Sequence, residues 1–217
     1  MNDSLQIIYL AISWCIYFFI HSLLATLKFK NWFCNQFPNY ASRYRLLYNG
    51  ISILFLLFPL IFISFDTDYL WQWSGWKSVL VNIFAIFAFM GFIWTLKYYD
   101  TKAFLGLTNN IENSKNQSAH FSLSPIHRHI RHPWYFFLLI IIWTRDMNVS
   151  MFVTAIIISI YLFLGARLED KKLKAEFGEQ YDIYSNFVPG IIPSFSRFIS
   201  KSKANEIMNN QKNIKFN

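Results

Sequence analysis

Apolar and polar positions along the 217-residue chain fall into long alternating blocks. Residues 5–27, 46–65 and 79–96 form runs without Lys, Arg, Asp or Glu. Each is close to the roughly 20 residues that cross a hydrocarbon core. Pro59 is expected to kink the second span. A fourth run, 134–143, is too short to cross alone and predicts a short or tilted helix, extended at its start by the polar residues before it. A fifth run, 149–165, returns after a turn at Arg145 and Asp146, so the last two form a helical hairpin. The N-terminus carries Asp3, no Lys or Arg before Lys28 and no small-residue cleavage site, so the first run reads as a retained span. The pattern predicts an all-α integral membrane protein of about five transmembrane helices.

Composition agrees with this class. The chain is 54% hydrophobic, 20% aromatic and only 15% charged, against roughly 25% charged in soluble proteins. A net charge of +8 raises the question of a nucleic-acid partner, but its distribution argues against one. Lys28, Lys30, Arg43 and Arg45 follow the first span, further basic residues lie in 97–131, and more follow from Arg167 onward. The segment 66–76 instead holds two acids and three tryptophans, as an outer interfacial loop does. Five spans then place the N-terminus outside and every basic segment on the cytoplasmic side, with a bacterial inner membrane as the expected host and the bilayer as partner. Cys15 and Cys34 are too few and too separated for a disulfide framework. Residues 109–118, rich in Asn, Ser, Lys and Gln, are expected to be a mobile surface loop. Residues 1–199 read as a single domain and 200–217 as a polar disordered tail.

Chemistry concentrates in 124–193. His127, His129 and His132, with His120 upstream, invite a metal reading. Arg128 and Arg131 are interleaved, and the spacing lacks a zinc pattern, so no metal is expected. A carboxylate or phosphate suits the Arg forks better, helped by the backbone donors of a helix opening at Pro133. A basic cluster touching lipid headgroups is the bland alternative. At the far end of the hairpin, Asp170 reads as a solvated acid paired with Lys172 and Lys174. Glu169, one turn beyond Gly165, is the favoured site residue. Past the last span, Leu168, Leu173 and Phe177 are expected to form an apolar stripe on an interfacial helix that stops at Gly178.

The ordered set Arg131, His132, Pro133, Tyr135, then Gly165, Glu169, Asp170, Leu173, Phe177, Gly178, Tyr181, Tyr184, then Val188, Pro189, Ile192, Pro193 resembles the membrane methyltransferase superfamily. That group includes isoprenylcysteine carboxyl methyltransferases, phospholipid N-methyltransferases and bacterial thiol S-methyltransferases. Farther upstream, the run from His21 to Ala25 and the run from Tyr44 to Asn49 are similar to the methanethiol S-methyltransferase branch. Two departures stand out: Pro125, Ile126 and His127 replace a Gly-Pro-Tyr run, and Glu169-Asp170 replaces paired glutamates.

The resemblance implies S-adenosylmethionine as methyl donor, held in a cytoplasmic pocket whose catalytic core is 124–193. It implies Arg131 and Glu169 as catalytic groups, with His129, Arg131, His132, Pro133, Tyr135, Glu169, Tyr181 and Tyr184 around the donor. Arg131 or His132 would face the donor carboxylate, Glu169 its ammonium or ribose, and a tyrosine ring its cationic methyl group. The acceptor is a small thiol or a lipophilic molecule; a prenylcysteine carboxylate, a phospholipid amine and a non-enzymatic accessory role are the alternatives.

Overall fold

The computed structural model describes residues 3–63, 68–107 and 121–209; residues 109–118, expected to be a loop, lie outside them. Helices α1 (Asp3–Ala25), α3 (Tyr44–Ile61) and α4 (Gly75–Leu96) coincide closely with the first three predicted spans. Between α1 and α3 lie a short helix, α2 (Leu27–Gln36), and a 3-10 turn, Pro38–Arg43. Thr26 caps α2 by accepting from the Phe29 amide at 3.2 Å. A one-turn helix, α5 (Thr101–Leu105), follows α4. The hairpin is α6 (Pro133–Trp143) and α7 (Val149–Phe177). Two further helices, α8 (Glu179–Phe187) and α9 (Lys201–Asn209), complete the chain.

Among the described residues, four helices are long and apolar enough to cross a membrane, and α6 is a fifth, shorter apolar helix. The chain is therefore an all-α, multi-pass membrane protein. α1 packs against α3 and α7, and α4 against α6. Gly91 permits the second contact, because a Cβ there would lie 2.6 Å from Cζ of Phe137. At one end of the bundle the strands β1 (Tyr69–Trp71) and β2 (Met147–Asn148) pair antiparallel, Tyr69 with Asn148 and Trp71 with Met147. The Trp73 amide donates to Asp146 at 2.9 Å beside them.

Several expectations change. Pro59 falls in the last turn of α3, which ends at Ile61. α6 is not extended by the polar motif; Pro125–Arg128 is a separate 3-10 turn, since a proline at the first helical position ends backward propagation. α7 runs unbroken past Gly165 for 29 residues, about 43 Å at 1.5 Å per residue. It therefore outreaches the roughly 30 Å hydrocarbon core. It stops at Gly178, where φ is +56°, a conformation costly for residues with a Cβ. Leu168 stays exposed, whereas Leu173 and Phe177 pack inward. The tail expected to be disordered instead begins with α9, whose Ala204 and Ile207 are buried. They join Phe121, Tyr181, Tyr184, Val188 and Ile199 in one apolar cluster, and Gln180 Nε2 donates to the Ile207 carbonyl at 2.8 Å. Residues 210–217 lie outside the described set.

Candidate active site

The segment before α6 and the segment after α8 are tied together through the backbone. The Arg131 amide donates to the carbonyls of Pro189 and Gly190, at 2.9 and 3.1 Å, and the His132 amide to Gly190 at 3.1 Å. Pro133 takes the first position of α6, where its missing N–H costs nothing. This docking sets Arg131 and His132 against the part of α7 that projects beyond the apolar span.

Asp170 is the centre of the arrangement. Its Oδ2 accepts from Arg131 Nη2 at 2.7 Å, and its Oδ1 from Arg131 Nε at 3.3 Å and His132 Nε2 at 2.8 Å. The Tyr181 hydroxyl also donates to Oδ1. This corrects the solvated role expected for Asp170: Lys174 pairs with Asp182 at 2.9 Å instead. Arg131 Nη1 donates to the Ser185 and Val188 carbonyls, at 2.9 and 2.5 Å. Its guanidinium thus spends most of its fixed fork within the protein.

His132 bridges the two acids. Its Nε2 faces Asp170, and its Nδ1 lies 3.2 Å from Oε2 of Glu169. Burial pulls the imidazole pKa down, but the hydrogen bonds and charges of Asp170 and Glu169 outweigh it and raise the pKa to about 9. The ring is therefore an imidazolium at neutral pH, holding two carboxylates apart. Glu169 also accepts from the Tyr135 hydroxyl at 3.1 Å, while the Tyr135 ring stacks on His132 at 5.4 Å. Both Glu169 contacts use Oε2, and its side chain is 46% exposed.

The other expected residues divide. Tyr181 and Tyr184 are 2% exposed and belong to the apolar cluster. Tyr184 donates to the His127 carbonyl at 2.7 Å. Burial, and for Tyr181 the Asp170 carboxylate, push both phenols far above their ordinary pKa. Both rings are thus packed within that cluster. His129 is exposed and stacks on Phe198 at 5.7 Å, away from the acids. His127 accepts or donates at Ser124 Oγ, 2.7 Å from Nδ1, and at the Tyr99 hydroxyl, 3.1 Å from Nε2. Burial first, then the charge on His132, lower its pKa to about 4. The three histidines thus face three different environments.

A second polar group was not foreseen as a site. His21 on α1 lies between Ser52 Oγ, 3.1 Å from Nδ1, and the Tyr48 hydroxyl, 2.9 Å from Nε2. Ser22 Oγ lies 3.1 Å from the Tyr161 hydroxyl of α7. An ionisable residue within an apolar run was the available signal for His21. Ser52 and Tyr161 carry no local signal, because only packing brings them there.

Comparison with known proteins follows the same lines. A methanethiol S-methyltransferase of Pseudomonas deceptionensis is 28% identical over 192 residues, covering 82% of this chain and 69% of the relative. One of Crocosphaera subtropica is 26% identical over 200 residues, covering 80% and 69%. Methanethiol S-methyltransferase 1 of Bradyrhizobium diazoefficiens is 24% identical over 191 residues, covering 80% and 62%. Neither a family model nor a solved structure matches the chain. The resemblance carried by the motifs of the last third thus extends over four-fifths of the chain, and the protein is similar to the methanethiol S-methyltransferase branch of the membrane methyltransferases.

Proposed function

We propose that this protein is an S-adenosylmethionine-dependent methyltransferase that methylates a small thiol at the membrane. The observation that carries this reading is the half-exposed Glu169 carboxylate, fixed by His132 and Tyr135 at the head of α6. The names of its relatives support the thiol.

The residues fit the donor's chemistry. S-adenosylmethionine carries an ammonium, a carboxylate, ribose hydroxyls and a sulfonium. Glu169 Oε1 is available to accept from the ammonium or a ribose hydroxyl. The first-turn amides of α6 attract the donor carboxylate. Arg131 serves indirectly, by holding Asp170, and Asp170 with Tyr181 fixes the imidazolium that orients Glu169. When bound, the donor supplies an electrophilic methyl group. The protein's part is to align it with the acceptor, the main source of acceleration in an in-line displacement. The basic segments at the same end as Glu169 support a cytoplasmic site, an outside N-terminus and a bacterial inner membrane.

The test is methyl transfer by purified protein from S-adenosylmethionine to methanethiol, read as dimethyl sulfide. Prenylcysteine and an aminophospholipid serve as competing acceptors. Product from the thiol alone supports the reading; product from either competitor alone overturns the acceptor.

A further inference from the structure

The cluster around His21 lies within the bilayer-spanning part of the bundle, yet it points toward the site just described. Tyr161, Gly165 and Glu169 recur every four residues on α7 and share one face. From Tyr161 to Glu169 is about 12 Å along the axis at 1.5 Å per residue. At Gly165 the Tyr135 ring lies over that face: a Cβ built there would meet the Tyr135 hydroxyl at 3.8 Å, an ordinary contact distance. Tyr135, which donates to Glu169, and Tyr161, whose ring lies beside His21, thus stand along one face of α7 between the site and His21. Polar side chains at such depth are costly, and they usually mark a site or a helix-to-helix tether.

The geometry favours a site. Ser52 can accept from Nδ1 of His21, which leaves the lone pair on Nε2, facing the Tyr48 hydroxyl. Both partners are hydroxyls able to donate or accept, and this is the tautomer in which Nε2 can serve as a base. Rings surround the group: Tyr17 lies 5.6 Å from the His21 ring, Tyr48 5.2 Å and Tyr161 6.3 Å. His21 is thus a proton acceptor among aromatic rings, chemistry suited to a small uncharged thiol arriving through lipid.

Resting on the methyltransferase reading above, we propose that this cluster is the acceptor side of the site and that His21 takes the proton of the thiol. The thiol S–H bond breaks and its proton passes to Nε2. The thiolate sulfur forms a bond to the donor methyl carbon. The bond from that carbon to the sulfonium sulfur breaks, and its electron pair stays on the departing sulfur, now a neutral thioether. The imidazolium then returns its proton to water. A base is needed because a free thiol with a pKa near 8.5 is only a few per cent ionised at neutral pH.

The experiment compares wild type with His21→Asn and His21→Gln in the purified, full-length protein. Three quantities are read: S-adenosylmethionine affinity by calorimetry, turnover with methanethiol, and turnover with an aryl thiol already ionised at neutral pH. His21→Asn should leave donor affinity unchanged and lower methanethiol turnover by about 100-fold or more. The aryl thiol should largely escape this loss. A wild-type rate with methanethiol, or equal losses with both thiols, would overturn the inference and leave His21 a tether. Absent donor binding by the wild type would instead overturn the reading on which the inference rests. If His21→Asn does not fold, His21→Gln, which keeps a polar side chain but cannot take up a proton at neutral pH, gives the same comparison.

Discussion

Asp170 accepts from Arg131, His132 and Tyr181, so its loss leaves a guanidinium and an imidazolium together without their shared anion. Breaking a fully buried pair costs roughly 3–5 kcal/mol. With Asp170 24% exposed, Asp170→Ala should cost about 2–3 kcal/mol after allowing for solvent screening. Thermal unfolding in detergent should show a fall of roughly 5–10 °C; a change within error would remove Asp170 from its central place. The histidines predict the pH dependence. His132, raised to about 9, contributes stability that is full below its unfolded value near 6.5 and is lost as pH rises through 9. His127, lowered to about 4, is taxed in the opposite direction, so stability falls as pH drops from about 6.5 toward 4. Melting temperature should therefore be highest near neutrality, and His132→Asn should flatten the alkaline limb most, easing the acid limb only as far as the His132 charge lowers the His127 pKa.

At the scale of elements, Gly91 and Phe137 set how closely α4 approaches α6. Gly91→Ala should cost about 1–3 kcal/mol by overpacking, and a double change with Phe137→Leu should recover much of it. An additive result in that cycle would mean the two residues do not share the contact. Apolar run length was enough to locate α1, α3 and α4, because crossing hydrocarbon demands it. The end of the last span was harder. Polar residues after Arg167 signal exit from lipid, but leaving lipid requires no break in a helix. Nothing between Gly165 and Gly178 stops α7, and that continuity is what carries Glu169 and Asp170 to the head of α6.

Over the whole molecule, the site depends on parts far apart in sequence. The motif residues were legible as a set, since charged and aromatic groups beside apolar runs stand out. Their division of labour was not. Which acid is buried, and which tyrosines face the cluster of Phe121 and Ile207, depends on how α8 and α9 fold back. A polar tail suggested disorder, yet the spacing of Ala204, Ile207 and Met208 gives α9 one apolar face. Ile207 is 1% exposed, so Ile207→Ala should destabilise by about 2–5 kcal/mol. Truncation after residue 200 should do at least as much; an unchanged unfolding curve for the truncated protein would show the cap to be dispensable.

The central claim is that the half-exposed Glu169 carboxylate helps hold a methyl donor at the head of α6. It is tested most directly by calorimetry of S-adenosylmethionine binding to wild type and Glu169→Ala. Wild-type binding with at least a tenfold loss in the mutant, about 1.4 kcal/mol, and an unchanged melting temperature without ligand is the predicted result. Equal affinity in both proteins, or no binding by folded wild type, would contradict it.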